Sequence, residues 1–110
     1  MNYGNDEVYL YFHKDNDECV MVKSSNFLGM QATSATSVTI AFYGSSNDGD
    51  DRDDIVLTID SGAHEEVFKQ IANAMTNNRI GGGGFVTIAD DVNSVYVTPE
   101  ITGVSAVNFG

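Results

Sequence analysis

The chain is poor in several residue types. Of its 110 residues one is cysteine, one is proline and none is tryptophan, and only 5 are Lys or Arg against 16 Asp or Glu. A single cysteine, Cys19, excludes an intramolecular disulfide and with it the stapled scaffold of small secreted domains. Flanked by Val20, Met21 and Val22, it reads as a small buried hydrophobe on a strand. The scarcity of cations leaves a formal net charge of -11. Such a body repels phosphate backbones, which bind through Lys and Arg that displace counterions, so nucleic acid and anionic membranes are excluded as expected partners. No window approaches the roughly 18 apolar residues of a membrane span. Met1 to Glu7 has neither the basic region nor the apolar stretch of a secretory signal, so a protein made and kept in the cytoplasm, or in something assembled there, is expected.

What the chain does have is enough apolar residue, 42%, to fill one core. At this length folding buries roughly two thirds of the unfolded surface, so residues 1–110 are expected to form a single domain. Val8, Leu10 and Phe12 alternate with Tyr9, Tyr11 and His13, the period of a two-sided strand. Lys14 to Glu18 reads as a polar turn, and Cys19 to Lys23 as the returning arm of a hairpin. Ser24 to Ser37 is less periodic and reads as a short extended piece followed by a loop. Val38, Ile40 and Phe42 against Thr39, Ala41 and Tyr43 predict a strand, as do Ile55, Leu57 and Ile59 after the polar run Gly44 to Asp54.

At Ser61 the period changes. Val67, Ile71 and Met75, with Phe68 and Ala72 beside them, form the stripe of an amphipathic helix over about residues 63–78. Ser61 or Asp60 is expected to cap it, Glu65 and Glu66 favour its positive end, and Asn77, Asn78 and Arg79 close it. Gly81 to Gly84 reads as a hinge before a strand from Phe85 to Ala89. Val95 to Thr98 and Ile101 to Val107 follow, separated at Pro99. The sum is an α+β domain of about seven strands, an antiparallel sheet or a small barrel, with one helix packed on it. Tyr9, Tyr11, Tyr43 and Tyr96 fall opposite the aliphatic positions of their strands. On a sheet that one helix cannot cover, they form a candidate oligomer or partner interface.

The chemical motifs are weak. Asp48, Asp50, Asp51, Asp53 and Asp54 are dense enough in oxygen for Ca²⁺, but the spacing lacks the sixth-position glycine and twelfth-position glutamate of a calcium loop, so a solvated acidic loop is expected. Asp15, Asn16, Asp17 and Glu18 read as a polar hairpin tip. Asp90 and Asp91 read as turn residues with no second catalytic group tied to them. Gly81 to Gly84 runs from helix to strand without the lysine of a phosphate loop. His13 and His64 have no ligand at metal-binding spacing, and His64 is expected at the surface. No Ser, His and Asp set has an informative order. No catalytic residue, metal or cofactor is therefore assigned, and a non-enzymatic role is expected.

Several segments together carry a resemblance: the aromatic first strand Tyr9 to Phe12, the Ser/Thr-rich run Thr33 to Tyr43, the helix Glu65 to Met75, the strand Phe85 to Asp91 and the terminal Ile101 to Val104. The chain resembles small uncharacterised proteins of marine tailed phages, especially cyanophages, that look like virion-associated or capsid-decorating components. The resemblance covers nearly the whole chain and transfers no catalytic residue. It implies a phage structural protein, assembled in the host cytoplasm into a virion, that contacts other virion proteins and its own copies as a homo-oligomer such as a trimer. An acidic exterior suits solubility before assembly. It equally suits the alternative, an acidic phage-encoded protein that binds and modulates a basic host protein.

Overall fold

The computed structural model describes residues 8–43, 52–77 and 84–108. Eight strands and one helix follow in the order β1 (Tyr9–Asp15), β2 (Glu18–Lys23), a 3-10 turn (Ser24–Asn26), β3 (Phe27–Ser34), β4 (Ser37–Tyr43), β5 (Arg52–Ile59), α1 (His64–Asn77), β6 (Phe85–Asp90), β7 (Val95–Tyr96) and β8 (Ile101–Asn108). They form two four-stranded sheets, ordered β2-β1-β6-β7 and β3-β4-β5-β8. The domain is thus α+β and mostly β. It departs from the expected single antiparallel sheet or barrel of seven strands in having two sheets of four, and β6 runs parallel to β1.

The hairpin β1–β2 forms as the alternation predicts. Its tip is held by Asp15, whose Oδ1 accepts the backbone N–H groups of Asp17 and Glu18, both at 3.0 Å. The loop expected before Ser37 is instead an edge strand, β3. Only its first half, with Phe27 and Met30, packs against the core. Its second half is exposed, which is why apolar periodicity misses it. Asp53, expected in the acidic loop, lies within β5 opposite Phe42 and is buried. Asp48 to Asp51 and Gly81 to Gly83 lie outside the described residues.

Both sheets contribute to one core. Leu10, Phe12 and Val22 come from the first, Ile40, Phe42, Ile55 and Leu57 from the second, and Val67, Ile71 and Ala74 from α1. The helix buries Val67 and Ile71 of the predicted stripe, with Met75 and Phe68 at its margin, but Ala72 is exposed and Ala74, seven residues after Val67, takes the inward place. Its first bond runs from the Val67 N–H to the Ala63 C=O at 3.1 Å. The cap thus falls on Ala63 rather than on Ser61 or Asp60, because a turn through Gly62 intervenes. Gly62 has φ +78°, a left-handed conformation that a Cβ disfavours, and its N–H donates to the Ala35 carbonyl at 3.0 Å. Half-buried His64 places Nε2 2.7 Å from the Ser34 carbonyl, tying the helix start to the β3–β4 turn. Among the described residues no helix is long and apolar enough to cross a membrane.

Candidate functional site

The core-facing residues of β1, β2 and β6 leave their odd neighbours, and Asp90 after a register shift in β6, on the outer side of the first sheet, where strand register arranges them in three rows. Lys23, Tyr9 and Phe85 make the first, Met21, Tyr11 and Thr87 the second, and Cys19, His13 and Asp90 the third. The rings of Tyr11 and Phe85 lie 5.5 Å apart and those of Tyr11 and His13 5.7 Å apart. The Tyr11 hydroxyl donates to Cys19 Sγ at 3.7 Å. That bond, more than burial, raises the Tyr11 pKa. Met21 is 54% exposed and Phe85 52%. Cys19, expected inside, is exposed, because the inward positions of β2 are Val20 and Val22. Large apolar side chains that crowd one face and remain open to water are the usual mark of a contact surface.

The third row ends in the one carboxylate of the three rows, and that carboxylate is occupied. Asp90 is 5% exposed. Its Oδ1 accepts the backbone N–H groups of Val92 and Asn93, each at 3.0 Å, and its Oδ2 the Asn93 side-chain amide at 2.9 Å. His13 Nδ1 stands 3.2 Å from Oδ1 but is buried without a hydrogen-bond partner. Burial acts to raise the Asp90 pKa, yet the Asn93 and Val92 bonds and the His13 charge outweigh it and hold the pKa below the ordinary aspartate value. A carboxylate depressed by folding stabilises the fold above its unfolded pKa of about 3.9 and loses that contribution as pH falls through the folded value. Asp90→Ala is therefore expected to cost about 1–3 kcal/mol at pH 7. The gap to wild type should narrow in urea titrations repeated below about pH 4. A gap independent of pH would contradict the assignment.

Asp91 faces the other way. Its carboxylate accepts the Tyr96 hydroxyl at 2.7 Å and the Val104 backbone N–H at 3.0 Å, while its own N–H donates to the His13 carbonyl at 2.8 Å. The two adjacent aspartates thus accept five hydrogen bonds between them that hold this turn, as their reading as turn residues expects.

The four candidate tyrosines do not form one surface. Tyr9 and Tyr11 lie together on the face described above. Tyr43 ends β4 in the second sheet, opposite Arg52, and is 61% exposed. Tyr96 pairs with buried Ala89 and packs against the core, opposite to the side the alternation predicts. Phe85 and Met21 complete the face, and the sequence signal for them was their odd-numbered register with Tyr9 and Tyr11.

A shallow depression of about 200 Å³ on the second sheet, lined in part by Leu28, Gly29, Ala41 and Asp54, gathers no cluster of titratable groups. Its Asp54 accepts the Asn108 amide at 2.8 Å. Among the described residues no group of three His, Cys, Asp or Glu could hold a metal ion. Comparison with known protein families, with curated proteins and with solved structures finds no match.

Proposed function

We propose that this chain is a non-enzymatic structural protein of a tailed phage, a small virion or capsid-associated component that self-assembles into a homo-oligomer. The observation that carries the reading is the outer face of the first sheet. There Tyr9, Tyr11, Met21 and Phe85 meet water on a chain of net charge -11, and the only carboxylate in the three rows is buried Asp90. Three rows without an exposed carboxylate let acidic copies, or an acidic lattice, approach with less like-charge repulsion. The apolar side chains then supply the association energy. The engagement of Asp90 and Asp91 in turn bonds supports the non-enzymatic part, since both carboxylates serve to hold the turn.

Mass spectrometry of purified virions tests the reading. The chain is expected among the particle proteins in many copies, and its absence from them would end the virion role. A salt-sensitive, stoichiometric host protein recovered with the chain from lysate would instead favour the host-binding alternative.

A further inference from the structure

Four strands stand at the edges of the two sheets: β2 and β7 in the first, β3 and β8 in the second. An edge strand offers unpaired N–H and C=O groups to any other strand, and proteins commonly blunt such edges with shortness, bulges, proline or covering groups. Three of these four are blunted. β7 has only two residues, with Pro99 close behind it. The pairing of β3 shifts register twice. That of β8 also shifts twice, and its Val104 N–H is taken by Asp91. Among the described residues β2 is the least blunted, with one register shift at Glu18 beside the hairpin tip. Its pairing with β1 is unbroken from Cys19 to Lys23, and it contains no proline.

The backbone direction of β2 follows from one bond. Ser24 N–H donates to the Val8 carbonyl at 2.7 Å, so position 24 points its backbone toward β1. Antiparallel strands alternate in this respect, so Val22 and Val20 also point inward. Cys19, Met21 and Lys23 therefore turn their N–H and C=O groups to the open side. Their side chains belong to the outer face, in line with Tyr9 and Tyr11.

We infer that β2 is the contact through which two copies of this chain pair, antiparallel across a two-fold axis centred on Met21, to make one continuous sheet. The inference rests on the homo-oligomer reading above and names its contact. A two-fold antiparallel pair keeps both outer faces on the same side, which requires outward residues to oppose outward residues. Centred on Met21, the arrangement sets Met21 against Met21 and Cys19 against Lys23 of the second copy, so every outward backbone group between 19 and 23 finds a partner. The charges agree. β2 begins at Glu18 and ends at Lys23, and antiparallel apposition brings the acidic end of one strand to the basic end of the other. None of the three outward residues is acidic, so this edge joins two chains of charge -11 without opposing carboxylates. Joining the faces also makes the exposed Met21 side chains neighbours and extends the Tyr9, Tyr11 and Phe85 surface across both copies.

Disulfide trapping of the full chain tests the contact. In a Cys19→Ser background, Met21→Cys places two thiols opposite each other, at the roughly 5.5 Å Cα separation of a hydrogen-bonded pair, which a disulfide spans. Under glutathione disulfide this variant is expected to run as a covalent dimer on a non-reducing gel, whereas Lys23→Cys in the same background stays monomeric. Met21→Lys, which sets like charges face to face at an exposed position, should halve the native mass with unchanged circular dichroism. A native oligomer that neither traps through position 21 nor responds to Met21→Lys overturns the edge contact and leaves the homo-oligomer reading standing. A native mass of three chains does the same. A monomer at all concentrations overturns both.

Discussion

Phe42→Ala is expected to lower stability by about 3–5 kcal/mol, the range for a large aromatic removed from a core that cannot collapse around the gap. Phe42 is fully buried on β4. Its ring meets Phe27 of its own sheet edge-on at 6.3 Å, and Phe12 of the opposite sheet at 6.2 Å and 67°. Its contact with Phe12 thus joins the two sheets, and its loss opens a void between them. Urea denaturation at neutral pH measures the change. A double-mutant cycle with Phe12→Leu should give a coupling of about 0.5–1.5 kcal/mol beyond additive loss. A cost below 1 kcal/mol by order of magnitude, with no coupling, would mean that the sheets do not share this core.

Asp91→Ala is expected to cost about 2–4 kcal/mol, because it deletes a charge-assisted bond and leaves the N–H of buried Val104 in β8 without its acceptor. Asp91 links β1, β7 and β8 through the bonds described above, so its loss separates the first sheet from the edge of the second. The same contact predicts an alkaline transition. The hydrogen bond to Asp91, then burial, then the nearby carboxylate charges push the Tyr96 pKa up to about 12. A group whose pKa rises on folding gives stability that is fully present below its unfolded value of about 10 and lost as pH climbs from there to the folded value. Wild type should thus weaken between pH 10 and about 12. Tyr96→Phe should be less stable at pH 8 but lack that part of the alkaline slope. Parallel slopes in the two proteins would show that Tyr96 does not stay neutral in the fold.

The elements legible in the sequence are those in which one face must be buried along the whole length. β1 and β4 each set three apolar residues against three others, and both form where the alternation places them. The helix stripe Val67 and Ile71 is legible for the same reason at a period of 3.6. β3 is hidden because an edge strand needs apolar residues only where it meets the core, and Gln31 to Ser34 have water on both faces. The parallel pairing of β1 with β6 leaves no local mark, since alternation fixes which face of a strand is inside but not which strand lies beside it.

The candidate site was half legible. Tyr9 and Tyr11 are placed by the phase of a long strand, which one residue cannot change without turning Leu10 and Phe12 outward. Tyr96 sits on a strand of two residues, where Val95 is exposed and Tyr96 packs inward. So short a run of alternating residues fits either phase, and it is the Asp91 carboxylate that decides it. Cys19 reads as buried because its neighbours are apolar. The hairpin register makes Val20 and Val22 the inward pair, so Cys19 and Met21 face out, along the edge proposed for the dimer contact.

The most direct test of the central claim is the native mass of the purified chain by light scattering, at low and high salt. The account predicts a closed oligomer built from pairs, with a mass of at least twice 11.8 kDa, that persists when salt screens the surface charges. A species of 11.8 kDa at every concentration and salt would contradict it.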